Sequence, residues 1–417
     1  MPIINWMTDT DFYTFPMAQL ANHQLKNVQV EYAFKCRNGL GTPGTHNQFL
    51  LRQFMDELHD ELNHLCTLRF KPVELEYLRE IPFLSVDFIE DLRLFQMNRS
   101  YINMWADKDG QLQGRVKGPL YHTIWFEQPV LSIVSELNSK YEDGELAKNH
   151  MIAGERKLTE NLELVKRFIG ETDQSQYLCP FQYGDFGTRR RRSFEWQDYT
   201  VGRHKKEVPP ENFVGTSNVH LAMKHGVRYL GTMAHQLFQA FQQSGPRLID
   251  HQKACLDAWA REFRGSLGIA LSDIVGMERF LKDFDLYFAK LFDGCRHDSG
   301  DPRWWCNLLI DHYNKLRIDP RTKTAIFSDG LTFRKAIELY LEFAKKIKVS
   351  SGIGTNFTND MSYQDAFCSV PYTAPQIVIK LVSCNGKPTA KVSDSPGKGM
   401  CEDEGFLTYL KQTFGIQ

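Results

Sequence analysis

The sequence predicts an α/β protein in which an irregular α/β barrel carries an N-terminal α+β domain completed by the C-terminal segment. Three observations predict it. From about residue 178, short apolar strands end in polar, glycine-bearing tips and run into helices, the rhythm of parallel strands with crossover helices. Seven tips carry functional side chains. A barrel gathers such residues at the C-terminal ends of its strands, whereas an open doubly wound sheet concentrates them at one switch point. Before residue 128 and beyond about 371 the chain mixes helices with antiparallel signals. The expected division is 1–128 for the N-terminal domain, joined by about 371–417, and 129–370 for the barrel.

Composition bounds the function. A chain of 417 residues is long for one simple core. Its 42% hydrophobic and 24% charged residues are ordinary for a globular protein. With a formal net charge of −1 there is no global field for nucleic acid or an acidic membrane, so an anion site must be local. Nine scattered cysteines without a CxxC pair argue against a disulfide framework or zinc knuckle. With no signal-peptide pattern and no apolar run near the ~20 residues of a membrane span, a cytoplasmic protein is expected.

In order, Asp9-Thr10-Asp11-Phe12-Tyr13 offers capping side chains ahead of an apolar helix, with Pro16 in its first turn or bending it. Residues 28–34 alternate as a strand; 49–65, 74–84, 86–95 and 129–141 have helical spacing. Residues 112–116 and 120–125, around Gly118-Pro119, read as a hairpin. Beyond residue 178, helices are expected at 219–224, 235–243 and 331–346. In the tail, 376–382 and 389–392 flank Asn385-Gly386, a strong hairpin signal, and this piece is expected to pair with the N-terminal domain.

The chemistry is in the tips. Arg296-His297-Asp298-Ser299-Gly300-Asp301-Pro302 is costly to bury and reads as a strand-end loop aimed at a polar ligand, the alternative being a solvated loop with a local salt bridge. Asp298 and Asp301 suit vicinal hydroxyls or a hydrated metal, and Arg296 suits an anion or a planar ring. Gly352-Ile353-Gly354-Thr355 suits a phosphate, or is simply a tight turn. The run Arg189 to Arg192 is a solvated helix start, or a partial polyphosphate site in which alternate arginines point inward; the balanced charge disfavours nucleic acid. His235 opens a helix and Asp273 lies in the next tip. A carboxylate on one ring nitrogen would leave the other nucleophilic.

In combination these motifs resemble nicotinate phosphoribosyltransferases: Asp9-Thr10-Asp11-x-Tyr13, Asp185-Phe186-Gly187-Thr188-Arg189, Gly215-Thr216-Ser217-Asn218, Gly231-Thr232-x-Ala234-His235, the Arg296–Pro302 cluster, Gly352-Ile353-Gly354-Thr355, Ile379-Lys380-Leu381, and Lys391-x-Ser393-Asp394-Ser395-Pro396-Gly397-Lys398. The resemblance implies ATP-dependent transfer of phosphoribosyl from phosphoribosyl pyrophosphate to nicotinate, in NAD biosynthesis by the Preiss-Handler route. It implies His235 as a phosphohistidine oriented by Asp273. It implies a homodimer with shared active sites, in which Tyr13 comes from the partner and clamps the pyridine with Phe186. Arg296 is implied at the ring carboxylate, Asp298 at the ribose, Arg189 at phosphate, and Gly352 and Gly354 at the 5′-phosphate. Asp301, Asp329, Ser217 and Thr355 complete the expected substrate set. No protein-held metal is expected; Mg²⁺ would travel with the polyphosphates. Gln236 departs from the Glu that many relatives carry there, and Thr14 and Pro16 also depart from the usual pattern. The rival readings are a nicotinamide phosphoribosyltransferase, whose relatives carry Asp where this chain has Ser217, and a non-catalytic nucleotide-binding relative.

Overall fold

The computed structural model describes residues 2–38, 40, 48–142, 144–364, 369–395 and 399–416; Pro396, Gly397 and Lys398 of the tail motif lie outside them. The strands are, in order, β1 (Gln29–Cys36), β2 (Ile102–Ala106), β3 (Leu112–Pro119), β4 (Tyr183–Asp185), β5 (Phe213–Thr216), β6 (Ile269–Leu271), β7 (Gly294–His297), β8 (Thr324–Phe327), β9 (Lys348–Ile353), β10 (Tyr363–Gln364), β11 (Ser369–Val370), β12 (Ile377–Cys384) and β13 (Lys387–Pro388).

One sheet is antiparallel, in the order β13-β12-β1-β3-β2. The C-terminal strand β12 lies against β1 from Val30↔Cys384 to Cys36↔Ile377, so the tail does return to the N-terminal region. The Asn385-Gly386 turn is present, with φ of 51° and 72° at its two residues, as a two-residue hairpin requires. Its second arm is shorter than expected because Gln242 Oε1 takes the Ala390 N–H at 2.9 Å. The hairpin expected around Gly118-Pro119 is corrected: β3 continues through Pro119 along β1 and pairs with β2 instead. The reversal falls at Asp107, whose Oδ1 accepts the N–H groups of Asp109 and Gln111, both at 2.9 Å, with Gly110 at φ 75°. Leu120–Thr123 is helical.

Pro16 is the third residue of the Thr14–Gln24 helix, where its missing N–H costs nothing. The helix expected over 74–84 runs Pro72–Arg79 and stops short of Pro82. The long Gly144–Glu171 helix and the helices Phe194–Glu207, His251–Phe263 and Pro302–Lys315 were not anticipated individually. No helix among the described residues is long and apolar enough to cross a membrane.

The second sheet is wholly parallel, in the order β5-β4-β9-β8-β7-β6. Among the described residues it does not close into a hydrogen-bonded barrel. The seam between β5 and β6 is filled by residues 228–232. Leu230 N donates to Thr216 O at 2.9 Å on the β5 side, and Thr232 Oγ1 to Ile269 O at 2.9 Å on the β6 side. The approach to β5 requires glycine: Gly215 has φ 137°, and a Cβ there would stand 2.0 Å from Arg228 O. All six C-terminal strand ends face one side, where the tips assemble.

Candidate active site

A cavity of about 370 Å³ opens among the tips. Clefts of about 1040 and 880 Å³ lie to its sides and contain neither Tyr13 nor Phe186. Phe186 is aimed by the residue before it. Asp185 is buried and accepts from Gly187 N, Gln197 Nε2 and Thr216 Oγ1, each at 2.7 Å. Burial pushes this carboxyl up to about 6. Gly352 lies against the ring: a Cβ there would meet Phe186 at 2.4 Å. Its place is therefore beside the Phe186 ring, while Gly354 and Thr355 line the cavity.

Tyr13 lines the same cavity as Phe186, Arg189 and Arg296. The Gln128 amide donates to its hydroxyl, and Phe12 N donates to Ser217 O at 2.7 Å. Both contacts are within one chain, so Tyr13 stands at the tips of its own chain, where the resemblance implied a partner's residue. The reason is the packing of the first helix against the 217 and 231 tips. Ser217 Oγ donates to Asp11 Oδ1 at 2.6 Å. The nearest charge to that uncharged hydroxyl is thus Asp11, whose carboxyl burial pushes upward.

The arginine run divides into two pairs; its members do not alternate. Thr188–Arg190 is a 3-10 turn and Arg191 is extended. Arg189 and Arg190 line the cavity, and Arg190 donates to Ile377 O at 3.1 and 3.0 Å. Arg191 is fully buried, with Nη1 and Nη2 on Asp9 at 2.6 and 2.9 Å and Nε on Glu136 at 2.6 Å. Arg192 meets Glu142 at 2.7 Å. The solvated basic face is therefore not found. Arg37, Lys380 and Lys391 add to the cationic lining. Burial first, then the charges of Arg189 and Arg37, push Arg190 down to about 9.

His235 Nε2 is 2.7 Å from Asp273 Oδ1 and 3.7 Å from Asp298 Oδ2. Lys391 Nζ closes the cluster as the cation between the two carboxylates, 2.9 Å from Asp273 Oδ2 and 3.8 Å from Asp298 Oδ2. Ser299 Oγ donates to Asp273 Oδ2 at 2.7 Å. Burial, then the Lys391 charge, push His235 down to about 4, so the ring is neutral at pH 7. Against the upward push of burial, Lys391 and His235 hold Asp273 well below the usual carboxylate range. His235 does not line the cavity; Asp298 and Lys391 do. One ligand atom each from His235, Asp273 and Asp298 falls within 4.8 Å of the others, close enough to share a cation. The Lys391 ammonium already meets that charge, and a one-nitrogen, two-oxygen set fits poorly the oxygen-rich octahedron magnesium prefers.

Asp301 is elsewhere. Its carboxylate caps the Pro302–Lys315 helix, accepting Trp304 N at 2.7 Å, and is outside the cavity lining. Asp329 lines the cavity beside Ser328, whose hydroxyl donates to Asp298 at 3.3 Å. Charged lining residues to which sequence reasoning gave no role are Asp11, Arg37, Lys380 and Lys391; Arg190 was named only as a member of the arginine run. Asp11, Lys380 and Lys391 stood inside the motifs; Arg37, one residue past β1, carried no local signal.

Comparison with known proteins gives one consistent result. The model of the nicotinate phosphoribosyltransferase (NAPRTase) family matches residues 181–417, and that of its N-terminal domain matches residues 8–135. The chain is 48% identical over 415 residues to the nicotinate phosphoribosyltransferase of Chromobacterium violaceum, covering 100% of this chain and 98% of that one. It is 47% identical over 417 residues to that of Acinetobacter baumannii, with 100% and 98% covered. The crystal structure of nicotinate phosphoribosyltransferase from Vibrio cholerae superposes with a TM-score of 0.88 at 36% identity, covering 100% of this chain and 94% of that one.

Proposed function

The chain belongs to the nicotinate phosphoribosyltransferase family, and from that premise we propose that it joins nicotinate to phosphoribosyl pyrophosphate with ATP hydrolysis coupled through a phosphohistidine at His235. Nicotinate mononucleotide and pyrophosphate are the products, feeding NAD biosynthesis. The observation that carries this reading is the meeting, at one cavity, of Tyr13, Phe186 and Arg296 with a cationic wall, behind which the His235–Asp273 pair stands against the lining residues Asp298 and Lys391.

The parts suit the reaction. The bond from C1′ of the ribose to pyrophosphate breaks with its electron pair leaving on the pyrophosphate. The pyridine nitrogen forms the new bond to C1′ as positive charge develops on the ribose. Phe186 and Tyr13 suit the ring and Arg296 its carboxylate. Asp298 suits the ribose, Gly354 and Thr355 the 5′-phosphate, and Arg37, Arg189, Arg190 and Lys380 the pyrophosphate. Asp298 and Asp329 would hold waters of a magnesium ion, which when bound neutralises the polyphosphate. The His235 nitrogen facing Asp273 is Nε2, which leaves Nδ1 as the phosphate acceptor.

The test is incubation with nicotinate or nicotinamide, phosphoribosyl pyrophosphate, magnesium and ATP, with product analysis. Nicotinate is expected to be used far better, because Arg296 favours a carboxylate and Ser217 brings no charge of its own. Equal turnover of both pyridines sinks the assignment. Ser217→Asp, which places a second carboxylate beside Asp11, is expected to lower kcat/KM for nicotinate by at least about tenfold. Gly352→Ala is expected to raise the KM for nicotinate about tenfold by displacing the Phe186 ring, with the KM for phosphoribosyl pyrophosphate little changed.

The homodimer stays in this proposal with each ring clamp supplied by one chain. Mixing Tyr13→Ala with His235→Ala protein is then expected to restore no ATP-coupled activity, even where subunit exchange is demonstrated. Recovery approaching a quarter of normal, about the level random pairing would give, would return Tyr13 to the neighbour's site.

A further inference from the structure

A cavity with this much positive charge faces a difficulty: pyrophosphate must bind and then leave. Arg37, Arg189, Arg190, Arg296, Lys380 and Lys391 line it against Asp11, Asp298 and Asp329. Two of the cations share a neighbour that does not line the cavity. Oε1 of Glu127 is 4.0 Å from Arg189 Nη1 and 3.9 Å from Lys380 Nζ, beyond hydrogen-bond reach of either. Its other oxygen, Oε2, accepts from Gln236 Nε2 at 3.2 Å, and Gln236 Oε1 accepts from the Tyr32 hydroxyl at 2.7 Å. All three side chains of this chain of bonds belong to buried residues.

The geometry is informative because a buried carboxylate beside two cations would ordinarily close onto them as an ion pair. Here the Gln236 amide holds one oxygen, and the other acts on Arg189 and Lys380 through space. Their donors stay free to turn toward a ligand, while the attraction they exert is partly offset. Gln236 is neutral, and this matters. A carboxylate at 236 would abut Glu127, and two buried carboxylates that close must share a proton. The first turn of the Glu127–Lys140 helix thereby serves the cavity twice, since the neighbouring Gln128 donates to Tyr13.

We propose that Glu127, oriented by Gln236 and Tyr32, is a positioning residue that sets how tightly the cavity holds pyrophosphate, weakening Arg189 and Lys380 enough for the product to leave. This rests on reading the cavity as the phosphoribosyl pyrophosphate site. No bond is made or broken at Glu127; it acts on the leaving group only through the two cations.

The test is calorimetric titration of the full chain with inorganic pyrophosphate at fixed magnesium and salt, alongside steady-state kinetics. Glu127→Gln removes a unit charge a few ångströms from both cations. It is expected to bind pyrophosphate about tenfold tighter, with KM for phosphoribosyl pyrophosphate and kcat both falling by a similar factor. Glu127→Asp keeps the charge and is expected to restore most of kcat. Gln236→Leu frees Glu127 to close onto Arg189 and Lys380, and is expected to weaken pyrophosphate binding several-fold. Opposite signs from Glu127→Gln and Gln236→Leu separate charge tuning from damage, which would weaken binding in both. Equal or weaker pyrophosphate binding by Glu127→Gln overturns the proposal; should that variant not fold, unchanged affinity in Gln236→Leu overturns it. Failure of the unmodified protein to bind pyrophosphate overturns instead the reading of the cavity on which the proposal stands.

Discussion

Replacing His235 with alanine is expected to abolish acid-labile phosphate on the protein and ATP hydrolysis, while weak ATP-independent formation of nicotinate mononucleotide persists. The separation follows from position. His235 stands behind the cavity wall, against Asp273 at 2.7 Å, whereas the groups suited to the ribosyl step line the cavity itself. Loss of the ring therefore removes the phosphate acceptor without removing the ring clamp or the anion wall. Asp273→Asn is expected to slow phosphorylation by at least about a hundredfold, since the imidazole loses the anion that orients it and supports its developing charge. That variant also leaves Lys391 without its 2.9 Å partner. Because burial and Lys391 push His235 down to about 4, the ring stays neutral as pH falls from 8 to 6; phosphorylation is lost only as pH approaches that value, where a proton takes the nucleophilic lone pair. Labelling with γ-phosphate-labelled ATP and peptide mapping checks the site. Label on another histidine, or undiminished label in His235→Ala, would falsify the assignment.

Arg191→Met is expected to be the most damaging single change to stability, costing roughly 3–5 kcal/mol. Arg191 has no exposure, and its guanidinium satisfies Asp9 with two bonds and Glu136 with one. Removing it leaves two buried carboxylates unpaired. Asp9 also receives Asn218 Nδ2 at 2.7 Å, so the loss reaches the tip that follows β5. Arg190→Ala, one residue away, is expected to leave the denaturation midpoint nearly unchanged and to weaken pyrophosphate binding instead. Urea denaturation of the two variants side by side reads the contrast. A midpoint for Arg191→Met equal to that of the unmodified protein would contradict the buried-triad account.

That pair of neighbours shows where local reading stops. Both arginines stand in one run of like residues, and nothing in the run distinguishes them. A helical or alternating backbone was the reasonable expectation; a 3-10 turn that ends at Arg190 and leaves Arg191 extended replaced it. Asp301 teaches the same lesson from the other side. An acid three residues before a tryptophan and one before a proline is a helix cap by local chemistry, with its carboxylate on Trp304 N, though the motif around it suggested a ligand. The misplaced hairpin came from weighing Gly118-Pro119 above Asp107 to Gly110, when the aspartate side chain bonds its own turn and the proline merely ends a strand.

What the sequence determined by itself is whatever local stereochemistry dictates. Short apolar stretches ending in glycine and polar residues become parallel strands with tips on one side, and Asn385-Gly386 can adopt two left-handed residues and so reverses the chain. It also placed Phe186, Arg189, Ser217, Arg296, Asp298, Asp329, Gly354 and Thr355 together, because strand ends in a parallel sheet all face the same way. Tertiary structure alone decided the rest. Arg37 and Lys380 reach the cavity from the end of β1 and the paired β12, and Lys391 from the segment beyond it, while Glu127 stands behind two of these cations in the first turn of a helix expected to begin two residues later. Each depends on contacts between segments over a hundred residues apart, such as Lys391 with Asp273 and Tyr32 with Gln236. Such contacts leave no periodicity to read, because their partners are fixed by the packing of β12 against the Glu127–Lys140 and His235–Ser244 helices and by the cost of burying a charge without an opposite one nearby.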